Sequence, residues 1–125
     1  IFNLFGATEW EYYMKEGGGI LADFFNEVLP PDLSDEELQD IYKNTSCSTH
    51  ATVKSPPILT VHGNWDTIVP ISLSKHLHNV LDGLNVSNLL VEVPLAEHGL
   101  DVGWFSVGGQ MTRFAMERFV AAQFS

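Results

Sequence analysis

Two short apolar runs, each rich in strand-forming residues, limit the folds open to this chain more than any other feature. They occupy residues 58–61 and 89–93, and between them the apolar positions of residues 72–83 recur at helical spacing and stop at Gly83, a C-cap residue. A second amphipathic helix is predicted after residues 108–109. Its shared face would hold Met111, Phe114, Ala115, Phe119 and Ala122. Strand, helix, strand, helix in this order predicts an α/β fold with parallel strands and covering helices.

The first residues form a third candidate strand. Ile1 to Phe5 is an apolar, aromatic run that ends at Gly6, which is the pattern of a buried strand. A strand that is apolar on both faces needs a neighbour on each side in the sheet. We therefore expect Ile1 to be a cut or processed end and the sheet to be incomplete.

The segment after this strand has a different composition. Residues 6–33 are rich in aromatic side chains and contain a glycine triplet at positions 17–19. No strand leads into the triplet and no Lys-Ser or Lys-Thr pair follows it, so we interpret it as a flexible linker rather than a phosphate-binding loop. We expect residues from about 10 to 45 to form a cap-like insertion.

A capping-box pattern marks one helix inside this segment. Ser34 and Glu37 are spaced so that each side chain can accept a hydrogen bond from the other residue's backbone N–H. The pattern predicts a helix from about Asp35 to Tyr42.

The charge of the chain argues against two classes of partner. Sixteen acidic against six basic residues give a formal net charge of −10. Such a surface repels phosphate backbones and anionic lipid headgroups, so we expect neither a nucleic acid nor a membrane surface as a partner. The sequence also holds no apolar run near the ~20 residues that cross a bilayer.

The loops that follow the two later strands carry a carboxylate and an imidazole. Asp66 follows the strand at residues 58–61, and His98 follows the strand at residues 89–93. Reactive groups of parallel α/β sheets gather at the carboxyl ends of strands, so these two side chains are expected to meet. A carboxylate that accepts the Nδ1 proton of a histidine fixes its tautomer and stabilises the imidazolium that forms when Nε2 removes a proton.

Alternatives to this pair exist. Asp101 competes for the role of the acid, but it shares the loop of His98 and would have to fold back to reach Nδ1. Asp66 can also be interpreted as a residue that only terminates a turn, and His98 as an ordinary loop histidine. The two residues in this order on two loops favour the catalytic pair.

The same residues carry a resemblance to a known family. The pattern His62-Gly-x-x-Asp66-x-x-Val69-Pro70 and the tripeptide Glu97-His98-Gly99 resemble the acid and histidine loops of α/β-hydrolase-fold esterases. Residues 1–9 resemble the sixth strand of that family and its Gly-Pro-Thr-Asp turn, with Ala7 and Glu9 replacing the usual Pro and Asp. The resemblance implies that residues 1–125 are the C-terminal portion of a single α/β-hydrolase domain, nearest to carboxylesterases and to acetyl or feruloyl esterases.

That family places its serine nucleophile before the acid, in a Gly-x-Ser-x-Gly elbow just before the sixth strand. Ser106 lies after the histidine and lacks the required glycine, so it is not expected to be the nucleophile. The resemblance implies that the serine comes from a missing N-terminal half or from a second chain. It further implies a small carboxylic ester as substrate, His98 as general base and acid, Asp66 as its orienting partner, and no metal or organic cofactor.

Two tryptophans and four further histidines complete the candidate residues. Trp65 and Trp104 are expected to line a substrate pocket, with aromatic core packing as the alternative. The histidines do not form a metal set, and structural or surface roles are expected for His50, His62, His76 and His78. Two other functions stay open: part of a peptidase of the prolyl-oligopeptidase type, and a non-catalytic hydrolase-like binding domain.

Overall fold

Three strands form the sheet in the part of the chain that the computed structural model describes, residues 1–16 and 19–124. They are β1 (Phe2–Leu4), β2 (Ile58–Gly63) and β3 (Asn88–Val93), in the spatial order β1-β2-β3. Both pairings are parallel. The predicted α/β fold with parallel strands and an open sheet is therefore confirmed. The glycine linker predicted at positions 17–19 falls mostly on residues 17 and 18, outside the described residues.

Six helices surround this sheet within the described ranges. They are α1 (Trp10–Lys15), α2 (Ile20–Val28), α3 (Asp35–Asn44), α4 (Cys47–His50), α5 (Ile71–Gly83) and α6 (Val107–Gln123). None of these described helices is both long and apolar enough to cross a bilayer.

Strand β2 occupies the centre of the sheet, and its side chains point alternately to two different layers. Leu59 and Val61 join a cluster with residues of β3 and α6. Ile58 lies on the other face, packed with Leu77 and Leu81 of α5. All six residues of β2 are buried because it has a strand on each side and a helix on each face.

Strand β1 differs from the expected buried strand. It is three residues long, and Phe2 is 43% exposed. The strand lies at one end of the described strand order, so only its side toward β2 is paired. Its register nevertheless follows from the pairing of Leu4 with Val61.

The end of α5 corrects one sequence-based prediction. Gly83 is the last helical residue and not the left-handed one; that conformation belongs to Asn85, whose φ is 54°. The N–H of Val86 donates to the carbonyl of Leu81 at 2.9 Å, and the N–H of Asn85 donates to Asp82 at 3.0 Å. This is a Schellman motif, in which asparagine replaces the usual glycine because its short polar side chain tolerates positive φ.

The predicted face of α6 is wrong at two positions. Phe114 is 65% exposed and Ala122 is also exposed. The buried face instead contains Thr112, Ala115 and Phe119. Thr112 can be buried because its hydroxyl donates to the carbonyl of Gly108 at 2.8 Å. The buried face of the helix therefore includes a polar residue, whereas counting apolar residues places Phe114 on that face.

The helix predicted from the capping box is present as α3. The Glu37 N–H donates to the Ser34 hydroxyl oxygen at 3.3 Å, and the Ser34 N–H donates to the Glu37 carboxylate at 2.9 Å. Helix α3 extends two residues beyond the predicted end at Tyr42. The capping pattern therefore located the start of the helix better than its end.

Helices α1 and α2 pack against the start of α5 and the residue just before it through a small cluster. Tyr13 of α1 and Ala22 of α2 contact Val69, which lies just before α5, and Leu73 of α5. The segment from residue 10 to residue 45 thus lies beside the loop that follows β2. Its role as a cap stays a prediction.

Glu9 is a buried carboxylate that joins α4 to this layer. It is 1% exposed and accepts hydrogen bonds from the backbone N–H of Ser48 at 3.0 Å and from the Ser48 hydroxyl at 2.5 Å. His76 lies 3.9 Å from the same carboxylate. Burial raises the pKa of Glu9 above its usual value of 4.5, although the Ser48 hydrogen bonds oppose the shift.

We expect Glu9→Gln to become relatively more stable than the parent chain as the pH rises. A carboxyl group with a raised pKa in the folded state binds its proton more tightly when folded, so its contribution is fully present below about pH 4.5 and is lost as the pH rises through the higher folded pKa. Comparing melting temperatures of the two chains from pH 4.5 to 7.5 tests this, because titrations of groups that do not interact with Glu9 cancel in the difference. A difference that does not change with pH would contradict it.

Candidate active site

The site begins at the carboxyl ends of β2 and β3. Gly63 pairs with Val93 at the last position of both strands, so the loops that follow start side by side. One loop carries Asp66, and the other carries His98. The parallel register alone therefore brings these two residues to the same edge of the sheet.

Asp66 and His98 are hydrogen-bonded to each other. The Nδ1 of His98 lies 2.9 Å from Oδ2 of Asp66, and Nδ1 is the donor because a carboxylate only accepts. The Asp66 side chain is fully buried, whereas the His98 side chain is 31% exposed. This leaves Nε2 of the neutral His98 ring as its basic nitrogen. Among the described ion pairs, Asp101 makes none with His98.

The Asp66 carboxylate accepts three N–H hydrogen bonds, and the ring nitrogen of a second histidine lies close to one of its oxygens. Its Oδ1 accepts from the backbone N–H groups of Ile68 at 3.0 Å and Val69 at 2.7 Å. Its Oδ2 accepts from His98 and lies 3.2 Å from Nε2 of His62. Since these neighbours are N–H groups, the arrangement suits a buried, ionised carboxylate.

His62 lies behind the carboxylate, at the end of β2, and is fully buried. Its Nε2 is 2.8 Å from the carbonyl oxygen of Val69, so Nε2 carries the proton. Its Nδ1 then accepts from the Ser74 hydroxyl at 2.7 Å. Burial lowers the pKa of His62 below its usual 6.5, while the Val69 carbonyl and the Asp66 charge oppose the shift. Sequence reasoning gave His62 only a structural or surface role; its signal was its place four residues before Asp66.

The two loops touch through their backbones, and Gly63 makes this possible. A Cβ atom on residue 63 would lie 2.2 Å from the carbonyl oxygen of Ala96. Ala96 also accepts the N–H of Trp65 at 3.1 Å, and the Asn64 side chain accepts the N–H of Leu95 at 2.8 Å. Residue 63 therefore has to be glycine for the loops to approach this closely.

A side-chain clip joins the same loops nearer the site. The Glu97 carboxylate accepts the backbone N–H and the hydroxyl of Thr67, each at 3.1 Å. These hydrogen bonds, the backbone one first, hold the pKa of Glu97 below its ordinary value. Because Thr67 follows Asp66 and Glu97 precedes His98, the clip limits how far the acid and the histidine can separate.

Phe5 packs against the His98 ring from the end of β1. The ring centroids are 4.7 Å apart and the planes meet at 71°. Phe5 has a φ of 42°, a conformation that aromatic residues rarely adopt. Its N–H donates to Val61 at 3.0 Å, which fixes the backbone in place. The residue that follows β1 thus also contributes to the surroundings of His98.

The other candidate residues lie around this pair or apart from it. Trp65 is 62% exposed and Trp104 is 49% exposed, with Arg113 6.0 Å from the ring centre of Trp104. Ser106 caps α6, since its hydroxyl oxygen accepts the Gly109 N–H at 3.1 Å. Because Trp65 and Trp104 are exposed, both side chains are accessible to a ligand.

The remaining histidines lie in separate environments. His78 is buried between Thr60 and Asn88, and His76 stacks on Tyr12. His50 contacts the carbonyl of Asn44. Within residues 1–16 and 19–124, no group of three or more potential ligands is placed to hold a metal ion.

Solved structures share this arrangement of strands and helices. A truncated carbohydrate esterase from gut microbiota matches with a TM-score of 0.71 and 27% identity, over 93% of this chain and 41% of that one. An acetyl ester-xyloside bifunctional hydrolase from Caldicellulosiruptor lactoaceticus matches with a TM-score of 0.73 and 20% identity, over 99% of this chain and 42% of that one. The chain has the α/β-hydrolase fold. It corresponds to the C-terminal part of that fold, as the sequence resemblance predicted.

Sequence comparison agrees with the α/β-hydrolase fold. Esterase LipC of Mycobacterium tuberculosis is 23% identical over 103 residues, which are 82% of this chain and 25% of LipC. An acylaminoacyl peptidase has the same fold, with a TM-score of 0.71 and 20% identity over 94% of this chain and 19% of that one. No family model matches the chain. The chain spans about a quarter of the curated relative and about two fifths of the first two structures.

Gly63→Ala is expected to destabilise the chain by about 1–3 kcal/mol, because the new methyl group has to push the Ala96 backbone aside. Urea unfolding measures the change. Gly83→Ala is the matched control: its Cβ would meet no atom within 4 Å at the end of α5, and we expect a gain of up to about 1 kcal/mol. Equal effects of the two substitutions would show that the loops can separate without cost.

The parent chain is expected to lose more stability than His62→Gln when the pH falls below about 6.5. A buried histidine with a lowered pKa resists protonation only while folded, so the unfolded chain binds the extra proton first. Unfolding free energies of both chains at pH 7.5 and 5.5 provide the test. The idea fails if the gap between the two chains stays constant over this interval.

Proposed function

We propose that this chain supplies the acid and the general base of a serine hydrolase that cleaves carboxylic esters. The observation that carries the proposal is the 2.9 Å contact between Nδ1 of His98 and the buried carboxylate of Asp66. The two residues follow neighbouring parallel strands, with the acid before the histidine, which is the chain order of acid and histidine in this fold. The esterases among the matched proteins support the reaction class.

In the proposed mechanism, a serine hydroxyl attacks the ester carbonyl while Nε2 of His98 removes its proton. The imidazolium that results is stabilised by the negative charge of Asp66. His98 then returns the proton to the departing alkoxide, and the carbon–oxygen bond of the ester breaks. Water, which gives its proton to His98, then attacks the acylated serine, and the carboxylic acid leaves as His98 returns the proton to the serine oxygen. The role of Asp66 throughout is to hold the ring with Nδ1 protonated.

The nucleophile is proposed to come from a segment that precedes residue 1 or from a second chain. The 125 residues contain no Gly-x-Ser-x-Gly elbow, and the Ser106 hydroxyl is engaged in capping α6. The exposed part of His98 could reach such a serine. Trp65 and Trp104 are proposed to contact the substrate, since each presents exposed aromatic surface and neighbours one of the two loops.

A peptidase is the second candidate, favoured by the fold match to an acylaminoacyl peptidase. The same acid and base serve both reactions, so the described residues do not separate them. Parallel assays of the polypeptide that joins this chain to its serine, one with p-nitrophenyl acetate and one with an N-acetylaminoacyl p-nitroanilide, distinguish the two reactions. A hydrolase-like domain that only binds its ligand would turn over neither compound.

Asp66→Asn is expected to lower kcat for p-nitrophenyl acetate by about 10⁴-fold in the polypeptide that joins this chain to its serine, because the amide disturbs the tautomer of His98. Asp101→Asn is the matched control, an acid on the loop of His98 without an ion pair to it. The reverse result, with loss only in Asp101→Asn, would reassign the acid.

The 125-residue chain alone is expected to hydrolyse the same ester no faster than buffer. The chain holds an oriented histidine and no activated serine, so only weak general-base help to water is available. Initial rates across a range of chain concentrations measure this. Turnover that disappears in Ser106→Ala would overturn the proposed source of the nucleophile.

A further inference from the structure

We infer that His62 is a positioning residue of the candidate active site. Its Nε2–H donates to the Val69 carbonyl and lies 3.2 Å from Oδ2 of Asp66, and this contact keeps Oδ2 facing Nδ1 of His98. The inference rests on the proposed function for its catalytic meaning. Its structural content concerns only the contacts among these three side chains.

The first support is the direction of each hydrogen bond. The Val69 carbonyl can only accept, so the proton of His62 is on Nε2; the N–H donates to Val69 at 2.8 Å, and Oδ2 of Asp66 lies beside it at 3.2 Å. The ring is fully buried and burial lowers its pKa, which keeps it a neutral donor near neutral pH. A neutral donor orients a carboxylate without cancelling its charge, and that charge is what stabilises an imidazolium at His98.

The second support is the way the His62 ring is fixed. Thr60 and His62 lie on the face of β2 that packs on α5, and each meets a polar residue of that helix. Thr60 bonds to His78 at 2.8 Å, and His62 bonds to Ser74 at 2.7 Å. Residues two apart on a strand and residues four apart on a helix each lie on one face, so the two strand side chains and the two helix side chains face each other in pairs. The ring is therefore set by the strand and helix that frame the acid loop.

The third support comes from the donors on Asp66. The Ile68 and Val69 N–H groups fix Oδ1 and leave Oδ2 to two imidazoles. Removing His62 would leave Oδ2 with the His98 N–H as its remaining neighbouring donor, so the position of Oδ2 relative to His98 would be held less firmly. In this arrangement His62 orients the Asp66 carboxylate, and Asp66 in turn orients the His98 ring.

The test compares four variants, each made in the polypeptide that joins this chain to its serine. His62→Phe fills the space without a donor, and His62→Gln restores an N–H near the position of Nε2. His78→Phe is the matched control. His78 is a buried histidine of α5, one helical turn after Ser74, and it contacts Thr60 and not Asp66. Ser74→Ala removes only the hydroxyl that fixes the His62 ring. The readouts are kcat and KM for p-nitrophenyl acetate and the ¹⁵N shifts of the His98 ring.

We expect His62→Phe to lower kcat by about 10- to 100-fold with KM nearly unchanged, by analogy with the loss on removing a hydrogen-bond partner that orients a metal ligand. The His98 ¹⁵N shifts should move toward a mixture of tautomers. His62→Gln should recover most of the loss, and His78→Phe should alter stability without moving these shifts. Should His62→Phe fail to fold, Ser74→Ala is expected to change the same readouts in the same direction by a smaller amount.

Equal effects of His62→Phe and His78→Phe on kcat and on the His98 shifts would overturn the inference, as would an unchanged Ser74→Ala. The two proposals fail separately. If no ester is turned over but the His98 shifts respond to His62 and not to His78, the positioning role stands and the proposed function fails. If turnover requires Asp66 and His98 but is indifferent to His62, only the positioning role fails.

Discussion

The buried Asp66 carboxylate is the interaction on which the arrangement of the site depends. A buried carboxylate is costly unless each oxygen is hydrogen-bonded, and here N–H groups from three different parts of the chain are hydrogen-bonded to it or, for His62, lie 3.2 Å from it. Two come from the turn that follows it, one from the end of β2, and one from the loop after β3. The need to satisfy one charge thereby fixes the turn, the strand end and the histidine loop relative to one another.

The closeness of the two loops is the second condition. The hydrogen bond between Asp66 and His98 forms because the loops meet at backbone distance beside Gly63 and are joined again by Thr67 and Glu97. Neither contact involves a group proposed to react. The proposed chemistry is thus supported by residues whose work is to hold two chain segments together, a common division of labour in sites built on loops.

The sequence predicted the three strands, helices α3, α5 and α6, and the meeting of Asp66 and His98, because these depend on local periodicity, on a capping pattern and on the geometry of parallel sheets. It did not predict α1, α2 or α4. It did not predict that Asn85, rather than Gly83, takes the left-handed conformation after α5, since both residues suit a helix end. It placed Phe114 inside because apolar counting does not see that the Thr112 hydroxyl can be satisfied within its own helix.

The role inferred for His62 was beyond sequence reasoning for a different reason. A histidine at the end of an apolar strand is compatible with many partners, and only the position of α5 shows that Ser74 lies opposite. This feature depends on packing between distant segments.

The two faces of β2 differ in how they can tolerate change over evolution. Toward α6 the strand presents only aliphatic groups, where a change of size is absorbed by small shifts of neighbours. Toward α5 it presents Thr60 and His62, whose directional partners exist at one helix position each. Drift in sequence can therefore remodel the α6 side gradually, whereas the α5 side has to change in matched pairs. We expect the relative position of β2 and α5 to be the slowest-changing part of this layer.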